Sequence, residues 1–145
     1  VYIAQNPDMR QHLNESMHYL LGHPNILGLH AARAAYKDGG PWLDALLVYL
    51  EENRDFLVEF VLEKLPGIKM WRPEGTYLGW LDCRSLDLYV HPCEFFLKEA
   101  KVALNDGCQF GDNGQGFVRI NFGCPRGLLL EGLQRMGSAL EKINH

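Results

Sequence analysis

The residue with the clearest chemical promise is Arg119, in the run Phe117-Val118-Arg119-Ile120-Asn121-Phe122. Apolar and polar residues alternate here. In a strand, Val118, Ile120 and Phe122 share one face while Phe117, Arg119 and Asn121 share the other. The first face is core; the second carries a guanidinium at mid-strand, where the sheet fixes its direction. A guanidinium is a planar fork that grips a carboxylate through two parallel hydrogen bonds, each contributing about 1.5–3 kcal/mol in sheltered places. The partner is either an acid within the chain, in an internal salt bridge, or the carboxylate of a bound small molecule. The strand taken alone favours the salt bridge.

Other candidates are weaker. Arg126 stands at a helix start, where a positive side chain opposes the dipole, which calls for an acidic partner, a nearby anion or plain solvation, the last favoured. The turn Gly75-Thr76-Tyr77 suits either hairpin packing or approach to a ligand. Gly111-Asp112-Asn113-Gly114-Gln115-Gly116 has the glycines of a phosphate cradle, but no Lys-Ser/Thr follows and it leads into a strand, so it reads as a loop. His12, His18, His30, His91 and His145 read as isolated surface groups or caps. The four cysteines, Cys83, Cys93, Cys108 and Cys124, form no C-x-x-C pair and have no His at zinc-ligand spacing, so they read as buried thiols without metal or disulfide.

The elements that must position these groups follow from periodicity. Asn6-Pro7-Asp8 opens a helix expected to run from Pro7 to about Tyr19, since Asn caps free N–H groups, Pro suits the first helical position and Asp favours the positive end of the dipole. After the break at His23-Pro24-Asn25, apolar residues recur at helical spacing from Ile26 to Tyr36, until Asp38-Gly39-Gly40. Pro41 starts the longest segment, Trp42 to Leu65, with Leu43, Leu46, Leu47, Leu50, Leu57, Phe60, Val61 and Leu65 along one side. Two period-two runs, Ile68–Arg72 and Thr76–Asp82, flank Pro73-Glu74-Gly75 and predict an antiparallel hairpin. Pro92 begins a helix carrying Phe95, Phe96, Ala100, Val102 and Ala103. A glycine-rich stretch from Asn105 to Gly116, the Arg119 strand and a helix from Gly127 to Ile143 complete the pattern. The opening run Val1-Tyr2-Ile3-Ala4 reads as a strand without a partner, expected to pair with an absent part of a larger fold or with a second copy, or else to lie disordered.

Composition excludes some roles. The net charge is −4, with basic residues dispersed among acids, which gives no stripe for a phosphate backbone and argues against nucleic acid. No apolar run approaches the roughly 20 residues of a membrane span and no signal core is evident, so a cytoplasmic protein without a membrane partner is expected.

Five stretches in order carry a resemblance: Pro73-Glu74-Gly75-Thr76-Tyr77-Leu78, Trp80-Leu81-Asp82, Leu104-Asn105-Asp106-Gly107, Gly116-Phe117-Val118-Arg119-Ile120-Asn121 and Cys124-Pro125-Arg126. Together they resemble the C-terminal part of fold-type I pyridoxal-phosphate (PLP) enzymes of the class I/II aminotransferase family, in the cystathionine β-lyase-like carbon–sulfur lyase subgroup. His23-Pro24-Asn25-Ile26-Leu27-Gly28 and Trp42-Leu43-Asp44 extend the match over nearly the whole chain.

The resemblance implies an α+β fold: the small C-terminal domain of a PLP-dependent transferase-like architecture, with helices on one face of a largely antiparallel sheet. Residues 67–145 would form it, 41–66 a long interdomain helix, and 1–40 the end of the large PLP-binding domain. By motif Arg119 would bind the substrate α-carboxylate, with Gly75, Thr76 and Tyr77 approaching the same pocket. Asn25 would reach toward the cofactor phosphate of a partner subunit in a homodimer. The Schiff-base lysine is expected upstream of Val1, in a missing N-terminal part that holds most of the PLP, so this chain alone is expected to be inactive. The implied reaction removes the Cα proton of an amino-acid substrate and expels a thiol from Cβ, leaving pyruvate and ammonia. An aminotransferase shares these residues and is the alternative; a non-catalytic α+β module that binds a small acid or a protein is the second.

Overall fold

The structure, a computed structural model, describes residues 4–17 and 25–143. It divides into two units, residues 1–43 and 44–145. In the first, α1 (Pro7–Met17) starts where Asn6 Oδ1 accepts from the backbone N–H groups of Asp8 and Met9, at 2.8 and 3.3 Å. The second helix, α2 (Ile26–Asp38), is capped the same way by Asn25. Both starts rest on a side-chain oxygen satisfying orphan donors of the first turn. Of the expected opening strand only Ala4 is described; Tyr19, His23 and Pro24 also lie outside the described residues.

The long helix α3 (Gly40–Lys64) delivers most of its length to the second unit. Its expected apolar stripe is buried only toward the C-terminus, where Leu57, Val61 and Leu65 are at most 1 % exposed, whereas Leu43 and Leu47 are exposed. The buried stripe continues one turn back onto a polar residue, Asn53, at 0 %.

Four strands form one antiparallel sheet in the order β1-β2-β4-β3: β1 (Lys69–Met70), β2 (Leu78–Asp82), β3 (Asn105–Asp106) and β4 (Phe117–Asn121). The hairpin is as expected in partnership but shorter, because Trp71 to Tyr77 form the turn rather than strand. The last helix, α5 (Arg126–Glu141), buries Leu129, Leu133, Met136, Ala139 and Leu140 in the core with Val118, Ile120 and Phe122 from the β4 side. The helix from Pro92 ends sooner than periodicity predicts: α4 (Pro92–Phe95) passes into a π-helical turn, Phe96–Ala100, stopped by Lys101 in the left-handed region at φ 57°. Val102 and Ala103 therefore lie beyond the helix, leading toward β3. The glycine-rich stretch is not wholly loop, since it holds β3 and two 3-10 turns, Gly107–Phe110 and Asp112–Gly114.

One glycine sets how closely α3 approaches the sheet. A Cβ on Gly79 would stand 2.8 Å from Met70 Cε, 2.9 Å from Ile120 Cγ2 and 3.2 Å from Leu57 Cδ2. We expect Gly79→Ala to lower stability by about 1–3 kcal/mol through overpacking, read as a fall in the urea midpoint. A change under about 0.5 kcal/mol would show that the interface relaxes freely.

Candidate functional site

On the open face of the sheet, β2 and β4 set Trp80 opposite Arg119, and β3 sets Asn105 on the other side of it. Arg119 Nη2 donates to Asn105 Oδ1 at 3.0 Å, and its Cζ lies 4.4 Å above the Phe110 ring. These contacts fix the plane of the fork. Arg119 Nε is buried with no hydrogen-bond partner, and no ion pair is made by Arg119 among the described residues. The internal salt bridge that the strand alone favoured is therefore not what the structure contains. A buried unpaired N–H costs about 1–3 kcal/mol, so an arginine held this way is short of an acceptor. Neither holder was singled out from sequence: Asn105 joins the site through a two-residue strand, and Phe110 through a short 3-10 turn.

The Arg119 side chain ends a continuous row. Phe110 meets Trp80 edge-on at 5.7 Å, Trp80 stacks on Phe117 at 5.6 Å, and Arg84 Cζ sits 4.7 Å over Phe117. Arg84 is in turn held by two hydrogen bonds to buried Asp82, at 2.9 and 2.8 Å. Three rings in contact, closed at each end by a guanidinium, resist rotation of any one member.

The Arg84 guanidinium, bonded to Asp82, holds that carboxyl below the usual range against the opposing effect of burial. Because the folded value is depressed, Asp82 contributes stability that is complete above about pH 4, the ordinary carboxylate value, and is lost as pH falls through the folded value. Asp82→Asn should remove that part of the acid dependence and lower stability at neutral pH. Unfolding midpoints measured from pH 7 to pH 2 would show it; parallel profiles for both proteins would refute the assignment.

Gly75 and Thr76 are not gathered around Arg119. They line a separate recess of about 240 Å³ with Leu47, Leu50, Glu51, Arg54, Pro73, Glu74 and Phe122. Thr76 precedes Trp80, the partner of Arg119, by four residues and stands in the turn before β2. Thr76 adopts φ 65°, with its Oγ1 accepting from Leu78 N at 3.2 Å, while Tyr77 is half exposed and its carbonyl accepts from Phe122 N at 2.9 Å. Asn25 is engaged as the α2 cap, its Oδ1 accepting from Leu27 and Gly28 N–H groups at 2.8 and 3.3 Å.

Arg126 departs from its expected setting. It is half-buried, donates from Nε to Asn53 Oδ1 at 2.7 Å, and lies 4.5 Å over the Phe56 ring. Its side-chain partners are thus a neutral amide and an aromatic face on α3, not an acid. Asn53 also donates to the carbonyls of Phe122 and Cys124 at 3.0 and 2.8 Å, pinning the segment after β4 to the helix.

Two further expectations are corrected. Cys108 is exposed and Cys93 and Cys124 only partly buried, leaving Cys83 as the buried thiol, its pKa pushed up to about 12 by burial and then by Asp82. His91 is not isolated, because it converges with Asp106 and Cys108.

No protein-family profile matches the chain. It is 44 % identical over 119 residues, 80 % of its length, to a cystathionine beta-lyase of Corynebacterium glutamicum, covering 31 % of that protein. It is 40 % identical over 121 residues, 83 % of its length, to the cystathionine beta-lyase PatB of Bacillus subtilis, again covering 31 %. Among solved structures, cystalysin from Treponema denticola, which contains a pyridoxal 5'-phosphate cofactor, superposes with a TM-score of 0.90 at 35 % identity, over 97 % of this chain and 36 % of that one. The chain belongs to the PLP-dependent carbon–sulfur lyases of aminotransferase-like fold. It matches a C-terminal part of these lyases and spans about a third of the length of the relatives it matches.

Within the lyase family the described residues fit one end of the chemistry. Arg119, with its orphaned buried Nε, suits the carboxylate of an amino acid. Lys37, Lys64, Lys69, Lys98, Lys101 and Lys142 are all exposed, so none lies in the kind of sheltered pocket where a lysine carries PLP.

Proposed function

We propose that this chain supplies the substrate-carboxylate end of a PLP-dependent carbon–sulfur β-lyase, whose parent protein cleaves cystathionine or a related β-substituted amino acid to a thiol, pyruvate and ammonia. The observation that carries it is the Arg119 fork, fixed by Asn105 and Phe110, with a buried donor that no group of the described residues satisfies.

Arg119 binds the carboxylate through charge-assisted hydrogen bonds and so fixes the rotation of the substrate about Cα. Holding the bond to be broken in the reactive direction is an orientation effect, which lowers the barrier without Arg119 handling a proton. Asn105 and Phe110 keep the fork in plane, so its geometry is set before substrate arrives. Bound PLP would supply the electron sink for the carbanion formed at Cα. The groups that hold PLP belong, in this reading, to the part of the parent that the chain does not span, and the chain alone is inactive. Gly75, Thr76 and Tyr77 form a rim farther along the hairpin, and Asn25 faces the cofactor of a second subunit in a cytoplasmic homodimer, in keeping with the oligomeric habit of PLP enzymes.

The test is the protein expressed from its full reading frame. Its visible spectrum before and after borohydride reports PLP attached to a lysine, and peptide mapping locates that lysine. Pyruvate released from cystathionine, set against amino-group transfer to a keto acid, separates lyase from aminotransferase. Pyruvate formation in step with thiol release supports the lyase. Transfer without pyruvate replaces it with an aminotransferase, and failure to bind PLP replaces both with a small-acid-binding module.

A further inference from the structure

We propose that His91, Asp106 and Cys108 form a binding site for a borderline-soft divalent cation, zinc being the fitting one, separate from the Arg119 site. The ligand atoms of His91, Asp106 and Cys108 all lie within 4.8 Å of one another. His91 at the start of α4 and the Asp-x-Cys pair at the end of β3 are thus brought together, though they are far apart in sequence. The set is one Cys, one His and one Asp, three donors of mixed nitrogen, sulfur and carboxylate character, which with water in the fourth position suits tetrahedral zinc and not magnesium or calcium.

The scaffold under the site is rigid. Asp106 pairs with Val118 of β4, and its Oδ1 accepts from Cys108 N at 3.1 Å, leaving the second oxygen for a metal. Beyond Cys108 the loop closes on itself: a Cβ on Gly107 would stand 2.2 Å from Gly114 O, and one on Gly114 1.9 Å from Gly107 O. A tetrahedral zinc with bonds of about 2.0–2.3 Å needs donors roughly 3.3–3.8 Å apart, a contraction within reach of side-chain rotation. Zinc binding releases the Cys108 thiol proton to solvent as one Zn–S bond forms. Arg84, which shares a cavity with His91, has its charge offset by Asp82.

The experiment uses the protein from its full reading frame, reduced and stripped with chelator, then given one equivalent of Zn2+ or Co2+. We expect one metal retained per chain after gel filtration, a thiolate-to-cobalt charge-transfer band with intense tetrahedral bands, and their loss when Zn2+ is added. Zn2+ should also protect Cys108, but not Cys124, from alkylation read by mass spectrometry. His91→Ala and Cys108→Ser alter exposed side chains, and each should weaken binding by more than the roughly 10–100-fold that losing an outer-shell partner costs. Cys124→Ser should bind as the parent does. Failure to retain metal, weak octahedral cobalt bands, or equal retention by the H91A/C108S double variant would each overturn the site. PLP binding and lyase activity are separate readouts, so this proposal and the functional one fail independently.

Discussion

Arg119→Ala is expected to lower kcat/KM of the full-length protein for β-substituted amino acids by roughly 10²–10⁴-fold. The estimate is two charge-assisted hydrogen bonds at about 1.5–3 kcal/mol each, converted at about 1.4 kcal/mol per tenfold. Both KM and kcat should suffer, since the arginine both binds the substrate and fixes its rotation. Arg119→Lys should recover only a small part, because a lysine keeps the charge but loses the fork and the flat face that rests on Phe110. The fold should survive, since Arg119 stands on the open face with one hydrogen bond to a neutral amide and one ring contact to lose. Steady-state kinetics with cystathionine, alongside a PLP spectrum to confirm loading, settle the point. A loss under about 3-fold would remove Arg119 from the substrate site.

The largest structural effect is expected at Asn53. Asn53→Leu conserves volume closely but strips partners from the carbonyls of Phe122 and Cys124 and from Arg126 Nε. With Asn53 at 0 % exposure, loss of its hydrogen bonds and the groups left unsatisfied should cost about 2–4 kcal/mol. Asn53→Asp makes the sharper comparison. A carboxylate would keep its attraction for Arg126, yet present lone pairs to two carbonyl oxygens that need a donor. Urea unfolding should place Asp no higher than Leu in stability. An Asp variant as stable as wild type would mean that the Arg126 contact, and not the two carbonyls, is what Asn53 serves.

Asn53 also shows where sequence reading stops. The stripe Leu57, Val61, Leu65 was legible because apolar residues recurring three and four apart along a long segment fit one face of a helix and not of a strand. An asparagine at the next position back breaks the apolar pattern, and nothing local says that two carbonyls from a distant strand end await it. The same holds around Arg119. The alternation in β4 correctly assigned Val118, Ile120 and Phe122 to the core and Arg119 to the open face, since period two follows from backbone geometry. Its holders were hidden, because β3 is two residues long, too short for any period, and Phe110 lies in a turn among glycines. The helix starts at Asn6 and Asn25 were readable because capping is local chemistry. The early end of the helix from Pro92 was not, since Lys101 at φ 57° carries none of the glycine or asparagine signal that usually marks a left-handed stop. The meeting of His91 with Asp106 and Cys108 was equally invisible, for it depends on α4 lying beside β3.

The row of rings on the open face gives the protein an optical gauge of its own. Trp80 is the half-buried tryptophan, whereas Trp42 and Trp71 are 69 % and 65 % exposed. External quenchers such as iodide would therefore silence the latter two first and leave emission dominated by Trp80. That indole touches Phe110, the ring on which the Arg119 guanidinium rests. Any anion that draws the guanidinium off the ring alters the field across the indole, so its residual emission becomes a titration signal for occupancy at Arg119, with no label attached and no turnover required.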